Sequence, residues 1–315
     1  MTDPGEDIFM KNKKTLFIIN PNANMGQAWR QAADLRPIME EYGGADWTGS
    51  VYPTHAIQLA KNAVLDGYEL VIAGGGDGTV HEVVNAIMEF PKEERPALGV
   101  IPLGSGNDFS YSVNMDPDPA KALHQIFNGA ESWIDIGKVE DDRGRTEYFD
   151  NTVGIGFDAI VTIHSHKMPY VRGLAMYVLA VLKTIFWNHS PLGVDVAMDG
   201  DKTYQDELLM FTLCNGGREG GGFHIYPEAQ NGDGIFHFVT VPNVSRLMML
   251  RFIPMFMNGS HLKHPRVKFG DFKEMIVESD TAMFIHIDGE VFSGFTSNLR
   301  KIKVTMEHKA LRVVS

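Results

Sequence analysis

A glycine-rich turn between a predicted strand and a predicted helix constrains this sequence more than any other feature. The turn is Gly74-Gly-Gly-Asp-Gly-Thr79, which follows the apolar run Leu70–Ala73 and precedes Val80–Ile87, whose apolar residues recur at helical spacing. A short buried strand joined to a helix by glycines indicates a parallel α/β sheet, with the turn at the edge where ligands bind. Backbone N–H groups at such a helix start can hold phosphate oxygens. The turn therefore predicts a phosphate-binding site.

Two common phosphate-binding patterns do not fit this turn. The pattern G-x-G-x-x-G, started at Gly74, reaches Thr79 where a third glycine is required, and the Walker A lysine is absent. Asp77 would repel phosphates unless a cation lay between them, and Mg²⁺ prefers carboxylate and phosphate oxygens. The turn thus predicts a site for a magnesium-bound nucleotide. The alternative is a tight turn in which Asp77 only caps a helix.

Two further polar turns follow other predicted strands. One is Asn20-Pro-Asn-Ala-Asn-Met-Gly26, after the strand that begins at Thr15, and the other is the segment 102–109 after Leu98–Ile101. The second supplies Ser105, Asn107 and another acid, Asp108. In a doubly wound parallel sheet, turns after successive strands meet at the carboxyl edge. Together they predict a nucleotide cleft.

Helix boundaries in this part of the chain follow from capping residues. A helix is predicted up to about Tyr42, with Pro37 breaking or kinking it. Thr54 is predicted to cap a helix that Gly67 closes, and Asp118 is predicted to cap another. Strands alternating with helices predict an α/β domain with a doubly wound parallel sheet over residues 14–132.

The pattern changes near Trp133. From residue 133 to 298, strand-like alternation and Asp-Gly turns predict a mostly antiparallel, β-sandwich-like domain. Two helical segments interrupt it, Pro169–Trp187 and Ser245–Met257. The first is apolar around most of its circumference and the second is rich in methionine, so both suit lipid contact as well as core packing. For the second, core packing is the favoured interpretation.

Charge and composition exclude several classes. The 315 residues carry a formal charge of −12, which argues against a nucleic-acid-binding protein. Local basic runs such as His261–Lys268 are ordinarily solvated surface. Cys214 is the one cysteine, so an internal disulfide and a cysteine zinc cluster are excluded. The first residues lack a signal-peptide core, and the apolar run Gly173–Trp187 is too short to span a bilayer, so a cytoplasmic protein is expected.

With these motifs, the sequence resembles the diacylglycerol kinase catalytic-domain family, which includes bacterial lipid kinases and the sphingosine and ceramide kinases. The similarity covers about residues 15–310. The first glycine turn also resembles those of phosphofructokinases and NAD kinases, but its combination with segment 102–109 is typical of lipid kinases. The matching segments, in the family's order, are Asn20-Pro21 with Gly26, Gly75–Glu82, Pro102–Phe109, Ile134–Gly137, Gly220–Gly222, Asn231–Gly234 and Asp288–Glu290.

The resemblance implies transfer of the γ-phosphate of Mg·ATP to a lipid hydroxyl, with diacylglycerol the first expectation and phosphatidic acid its product. Glu290 would take the proton from that hydroxyl, with Asp77 as the second catalytic residue. ATP would lie in a cleft between the two domains, with residues 299–315 completing the first. The residues implied to contact the nucleotide are Asn20, Pro21, Gly26, Ser50, Gly75, Gly76, Asp77, Gly78, Thr79, Glu82, Gly104, Ser105 and Asn107.

The resemblance also implies metal sites. Asp77, Asp108 and Asp135 would hold Mg²⁺, and Asp233 would hold a second, structural Mg²⁺ with the carbonyls of Gln230 and Ile235. The sequence departs from the family in having Asn231-Gly232 where paired acids are frequent, His81 in place of asparagine, and the inserted pair Arg218-Glu219. The first departure weakens the second metal site.

Two other functions stay open. One is an NAD kinase-like phosphotransferase, and the other is a lipid-binding regulator without catalysis. Phe284–Phe292 also reads as an ordinary hairpin around Asp288-Gly289, in which Glu290 would merely lie on a strand. The expected partner is a lipid at a membrane surface, reached by transient association, without nucleic acid. The oligomeric state, including a homodimer, is open.

Overall fold

The computed structural model describes residues 13–168, 171, 173–200 and 202–315, and it divides the chain into two compact units. Unit 1 comprises the residues up to Ile134 together with Lys309–Ser315, and unit 2 comprises Asp135–His308.

Unit 1 is built on a parallel sheet. The strands, in sheet order, are β2 (Asp46–Gly49), β1 (Thr15–Ile19), β3 (Leu70–Gly75) and β4 (Ala97–Pro102). Every residue of β1, β3 and β4 is buried, as expected for parallel strands covered by helices on both faces. Val313, near the chain end, pairs in parallel with Leu98 and so adds to this sheet.

The helices of unit 1 connect these strands. They are α1 (Ala23–Gly26), α2 (Ala28–Glu41), α3 (His55–Leu65), α4 (Asp77–Met88), α5 (Asp108–Ser112) and α6 (Pro119–Asn128), with a 3₁₀ turn at Lys92–Glu94. Pro37 lies inside α2 without ending it. Asp118 caps α6 as predicted, because its carboxylate accepts the N–H groups of Ala120 and Lys121.

Thr54 occupies the N-cap position of α3 as predicted, but its side chain does not cap the helix. Its backbone there has a positive φ of 71°. Instead, the carboxylate of Glu82 on α4 accepts the N–H groups of Thr54 at 2.9 Å and Ala56 at 3.0 Å. A residue remote in sequence therefore satisfies the start of α3.

Unit 2 is mostly antiparallel, so the predicted fold class of both parts is confirmed. Its long strand β9 pairs with β8 through its first half, and its second half lies between β7 and β12. The remaining order runs β16, β15, β7, β9, β8, β14 and β17, with β13 beside β12 and β6 beside β5. The bounds are β5 (Glu131–Asp141), β6 (Thr146–Phe149), β7 (Thr152–Gly156), β8 (Leu192–Met198), β9 (Lys202–Cys214), β10 (Arg218–Glu219), β11 (Phe223–His224), β12 (Phe236–Pro242), β13 (Lys268–Phe272), β14 (Glu274–Glu278), β15 (Ile285–Ile287), β16 (Glu290–Ser293) and β17 (Lys301–Val314).

Helices cover one side of this β structure. They are α7 (Phe157–Ser165), α8 (Gly173–Trp187) and α9 (Arg246–Met257), followed by a 3₁₀ turn at Ser260–Lys263. The predicted start of α8 at Pro169 lies outside the described residues. One apolar cluster lies among the strands and a second lies between β9, β12 and the helices. None of the helices in the described ranges is both long and apolar enough to cross a bilayer.

The Glu82 contact with α3 gives a testable consequence for stability. Glu82→Ala removes the acceptor of two N–H groups, so we expect the free energy of unfolding to fall by roughly 1–2 kcal/mol. Urea unfolding measures this, with Glu93→Ala, an exposed glutamate of the same unit, as the control. Equal stability of wild type and Glu82→Ala would contradict the capping role.

Candidate functional site

Three polar turns of unit 1 lie at the carboxyl ends of neighbouring strands. The side-chain amide of Asn20, after β1, donates to the hydroxyl oxygen of Thr79, after β3, at 3.2 Å. Ser50, after β2, donates its N–H to the carbonyl of Ile19 at 2.8 Å and is buried. The rule that turns of a parallel sheet share one edge thus brings Asn20, Thr79 and Ser50 to the same region.

Close backbone packing explains the glycines of the turns after β3 and β4. A Cβ on Gly104 would overlap the Cα of Gly76, and a Cβ on Gly75 would overlap the side chain of Thr79. Asn107, at φ +53°, closes the second turn, since its Oδ1 accepts the N–H of Gly104 at 3.0 Å and its Nδ2 donates to the carbonyl of Gly104 at 3.1 Å. The turns after β3 and β4 therefore contact each other directly.

Asp77 joins the same two turns. Its Oδ1 accepts the N–H groups of Asp108 at 2.6 Å and Phe109 at 3.1 Å, so it caps α5. The alternative of a helix-capping aspartate is thus realised, although on α5 rather than on the helix that Asp77 begins. Burial and the nearby carboxylate of Asp108 raise the pKa of Asp77 to about 7. Such crowding of two carboxylates is what a divalent cation relieves.

The other predicted nucleotide contacts lie on the same turns, with one exception. Ser105 is exposed, while Pro21 and Gly78 are half-buried. Gly26 adopts φ +79°, which a side chain would strain. Glu82 is the exception, because it lies further along α4. Its two carboxylate oxygens accept the N–H groups that begin α3.

Asp135 belongs to unit 2 and is fully buried. One of its carboxylate oxygens accepts the N–H of Gly234 at 2.7 Å, and the other lies 2.7 Å from Nδ1 of His308. Both oxygens therefore have partners within unit 2, whereas Asp77 and Asp108 lie together in unit 1.

The residues of the predicted second metal site lie in and beside the turn whose Gly234 donates its N–H to Asp135. Asp233 in this turn is exposed, and its Oδ1 accepts the N–H of Ile235 at 3.0 Å. Gln230 is exposed as well. The three predicted ligands are thus near one another in sequence, with Asp233 as the single acid among them.

Glu290 is exposed at the start of β16. It follows the turn Asp288-Gly289, in which both residues have positive φ, as in the predicted hairpin. The carboxylate of Asp288 accepts three backbone N–H groups, from Asp150, Asn151 and Thr152, at 2.9–3.0 Å. These bonds fix the turn, so Glu290 projects from an anchored position.

A cluster that the sequence did not indicate lies behind this hairpin. Nε2 of the fully buried His286 is 2.8 Å from Oε1 of Glu219 and 3.6 Å from Oδ2 of Asp158. The hydroxyl of Thr212 donates to Asp158 at 2.7 Å. Asp158, Glu219 and His286 have their possible metal-ligand atoms within 4.8 Å of one another. Over the part of the chain that the structure describes, no other group of three His, Cys, Asp or Glu side chains does so.

The surroundings favour the charged forms of His286 and Asp158. Burial alone would lower the pKa of His286, but the carboxylates of Glu219 and Asp158 outweigh burial and raise it to about 10. Burial alone would raise the pKa of Asp158, but contact with His286 holds it below its usual range. No sequence period connects residues 158, 219 and 286, and of the three only Glu219 lies in a segment that departs from the family pattern.

Two carboxylates of this cluster line an apolar pocket of unit 2. Asp158 and Glu219 form part of its wall, and nearly all other lining side chains are apolar. Those from α8 and α9 include Tyr177, Val181, Ile185, Met249, Phe252 and Phe256. The pocket can therefore hold an apolar chain with a polar group at the carboxylates.

Comparisons with known proteins cover most of the chain. The family model "Diacylglycerol kinase catalytic domain" matches residues 14–139, and "YegS C-terminal NAD kinase beta sandwich-like domain" matches residues 151–315. The chain is 30% identical over 301 residues to a diacylglycerol kinase of Staphylococcus carnosus, with 94% of each chain covered. It is 33% identical over 245 residues to a probable lipid kinase YegS-like of Chromohalobacter salexigens, covering 74% of this chain and 73% of that one. The solved structure of a putative diacylglycerol kinase from Bacillus anthracis has the same fold, with a TM-score of 0.78 at 21% identity over 100% of this chain and 98% of the other.

The contact between the two glycine turns predicts the effect of Gly104→Ala. The added methyl group would force the turns apart, so we expect the free energy of unfolding to fall by roughly 1–3 kcal/mol. Gly193→Ala is the matched control, because a Cβ at Gly193 meets no atom within 4 Å. Urea unfolding of both variants decides, and equal losses would show that the contact between turns is unimportant.

The raised pKa of His286 predicts a pH dependence. Its pKa is about 10 in the folded protein against 6.5 ordinarily, so the stabilisation is complete below pH 6.5 and is lost as the pH rises through about 10. We expect the Tm of wild type to fall between pH 7 and 10 by more than that of His286→Gln. Calorimetry measures this, with the exposed His166→Gln as control, and parallel curves for all three proteins would contradict the ionised cluster.

Proposed function

We propose that this chain, which belongs to the diacylglycerol kinase catalytic-domain family, phosphorylates diacylglycerol and gives phosphatidic acid. Family membership makes it an ATP-dependent lipid kinase.

The observation that carries the choice of acceptor is the apolar pocket whose wall includes Asp158 and Glu219. Two carboxylates face one imidazolium there, so an anionic head group such as that of phosphatidylglycerol would meet like charge in a poorly hydrated place. An uncharged hydroxyl can donate a hydrogen bond to a carboxylate instead. Diacylglycerol combines such a head group with acyl chains, and relatives named diacylglycerol kinase support it.

Unit 1 supplies the nucleotide site in this proposal. Backbone N–H groups of Gly75, Gly76 and Gly78 would hold phosphate oxygens at the start of α4, with Asn20 and Thr79 beside them. The same role is proposed for the other residues on these turns, Pro21, Gly26, Ser50, Gly104, Ser105 and Asn107. Glu82 would act through α3, since both of its oxygens accept N–H groups there.

Asp77 and Asp108 fit Mg²⁺. Burial, together with the neighbouring carboxylate of Asp108, raises the pKa of Asp77 to about 7, and carboxylate oxygens are the donors that Mg²⁺ prefers. Bound Mg²⁺ would neutralise the phosphate charge during transfer. The contacts of Asp135 with Gly234 and His308 support a different role for it, which is to shape the turn where Asp233, Gln230 and Ile235 would hold a second Mg²⁺.

Glu290 is the proposed base. Its carboxylate would accept the proton of the acceptor hydroxyl while that oxygen bonds to the γ-phosphorus and the bond from phosphorus to the ADP oxygen breaks. Anchoring of the preceding turn through Asp288 supports this role, because a base must be held at a fixed position. No covalent intermediate with the protein is required.

The reaction would take place at a membrane surface, because diacylglycerol resides in bilayers. We therefore propose a cytoplasmic protein that contacts the membrane transiently. The apolar pocket favours this function over an NAD kinase-like activity, since NAD offers no chain to fill it. The retained set of Asp77, Asp108 and Glu290 favours catalysis over a purely regulatory role.

Transfer of labelled phosphate from ATP to lipids in mixed micelles tests the proposal. We expect wild type with Mg²⁺ to label diacylglycerol in preference to phosphatidylglycerol, sphingosine and NAD, and to stop when EDTA is added. Glu290→Gln should lower kcat by roughly 10²–10⁴-fold, and Asp77→Ala should abolish transfer. Glu278→Gln, an exposed glutamate of β14, is the matched control.

Three results would contradict this proposal. Preferential labelling of phosphatidylglycerol would overturn the charge argument for the pocket. Labelling of NAD alone would favour the NAD kinase-like function. Full activity of Glu290→Gln would remove Glu290 as the base.

A further inference from the structure

One face of α8 exposes large apolar side chains. Leu179 is 45% exposed, Phe186 53% and Trp187 75%. Together with Lys183 they follow the spacing i, i+4, i+7 and i+8, so all four lie on one side of the helix. The rings of Phe186 and Trp187 are 6.1 Å apart. Exposed apolar side chains that form a contiguous patch mark an interaction surface.

The start of α9 extends this patch. Nε of Arg246 donates to the carbonyl of Ile185 at 3.0 Å, which ties the first turn of α9 to the last turn of α8. The adjacent Leu247 is 78% exposed. Arg251, one helical turn further on the same side of α9, is exposed as well. We call Leu179, Lys183, Phe186, Trp187, Arg246, Leu247 and Arg251 the α8–α9 face.

The two stretches of sequence that carry this face have a charge opposite to that of the whole chain. The protein carries 40 acidic residues and a net charge of −12, yet residues 159–194 and 234–270 contain no Asp or Glu. These two stretches, which include α8 and α9, carry eight Lys or Arg residues. A basic and apolar surface on an acidic protein complements an anionic membrane, to which tryptophan and cationic side chains bind at the interface.

The same helices line the apolar pocket from their other sides. Tyr177, Val181 and Ile185 of α8 and Phe252 of α9 contribute to its wall. None of the exposed apolar residues of the α8–α9 face does. A bilayer that contacts this face would therefore lie next to the helices that enclose the proposed acceptor pocket.

We propose that the α8–α9 face docks the protein onto an anionic phospholipid bilayer. This inference rests on the proposed function, because it adds the surface by which a lipid kinase reaches its acceptor. Phe186, Trp187 and Leu247 insert among the lipid head groups, and Lys183, Arg246 and Arg251 contact lipid phosphates. Anionic lipid strengthens binding, because the cations on this face add about fivefold each in affinity near such a surface.

Co-sedimentation with vesicles tests the docking surface. We expect wild type to bind vesicles of phosphatidylglycerol and phosphatidylcholine in equal parts, to bind pure phosphatidylcholine weakly, and to be released by salt. Phe186→Ala/Trp187→Ala should lower affinity at least tenfold. Arg251→Gln should lower it about fivefold on the anionic vesicles alone. Trp29→Ala and Arg36→Gln, at exposed positions of α2, are the matched controls.

A water-soluble acceptor separates docking from catalysis. Transfer of phosphate to monomeric dihexanoylglycerol should be unchanged in Phe186→Ala/Trp187→Ala, while transfer to diacylglycerol in anionic vesicles falls with binding. If wild type labels neither acceptor but the variants still lose vesicle binding, docking stands and the proposed function fails.

Three outcomes would overturn docking. The first is equal vesicle binding by wild type and Phe186→Ala/Trp187→Ala. The second is equal binding of wild type to anionic and neutral vesicles. The third is a wild-type dimer in sedimentation that the double variant dissociates, without vesicle binding by either protein, which would make this face a contact between two copies.

Discussion

The contact between Asp77 and the start of α5 is the interaction on which the arrangement of unit 1 depends. Its Oδ1 accepts two N–H groups from the turn after β4 while Asp77 itself begins the helix after β3. One carboxylate thus ties two strand ends together, and the overlap that a side chain on Gly104 would create shows how closely the turns approach. The same contact brings the acid Asp108 beside Asp77. The contact of Asp77 with the start of α5 therefore has two results. It caps that helix, and it places two carboxylates close together, as suits a cation.

Unit 2 uses buried carboxylates in a similar way. A buried charge is costly unless it is paired or hydrogen-bonded, and Asp288, Asp135 and Asp158 each meet this requirement through several partners. Each of them holds a turn or a strand in place. Glu290, in contrast, is exposed. The acids that fix the backbone and the acid proposed for proton transfer are therefore distinct, although Asp288 and Glu290 are two residues apart.

Local patterns were enough to predict the fold class and the position of the polar turns. The alternation of strands and helices and the glycines at strand ends are short-range signals, and the parallel sheet of unit 1 confirms the prediction made from them. Asp118 was predicted correctly as a cap because its partners are two and three residues away. The position of Thr54 at the start of α3 was predicted correctly, but its side chain does not form the cap, because Glu82, 28 residues further along the chain, accepts the N–H groups there. The cluster of Asp158, Glu219 and His286 combines three distant segments, so no local pattern could reveal it.

The composition of α8 is explained by the two environments that it contacts. A surface helix normally has one apolar face, and a helix that is apolar around most of its circumference is usually buried. On one side of α8, Tyr177, Val181 and Ile185 line the pocket, while on another side Phe186 and Trp187 are exposed. The methionine-rich α9 shows the same division, since Met249 and Phe252 are buried and Leu247 is exposed. Core packing therefore accounts for one side of each helix, while the exposed apolar side chains on the other side belong to the face that we propose for lipid contact.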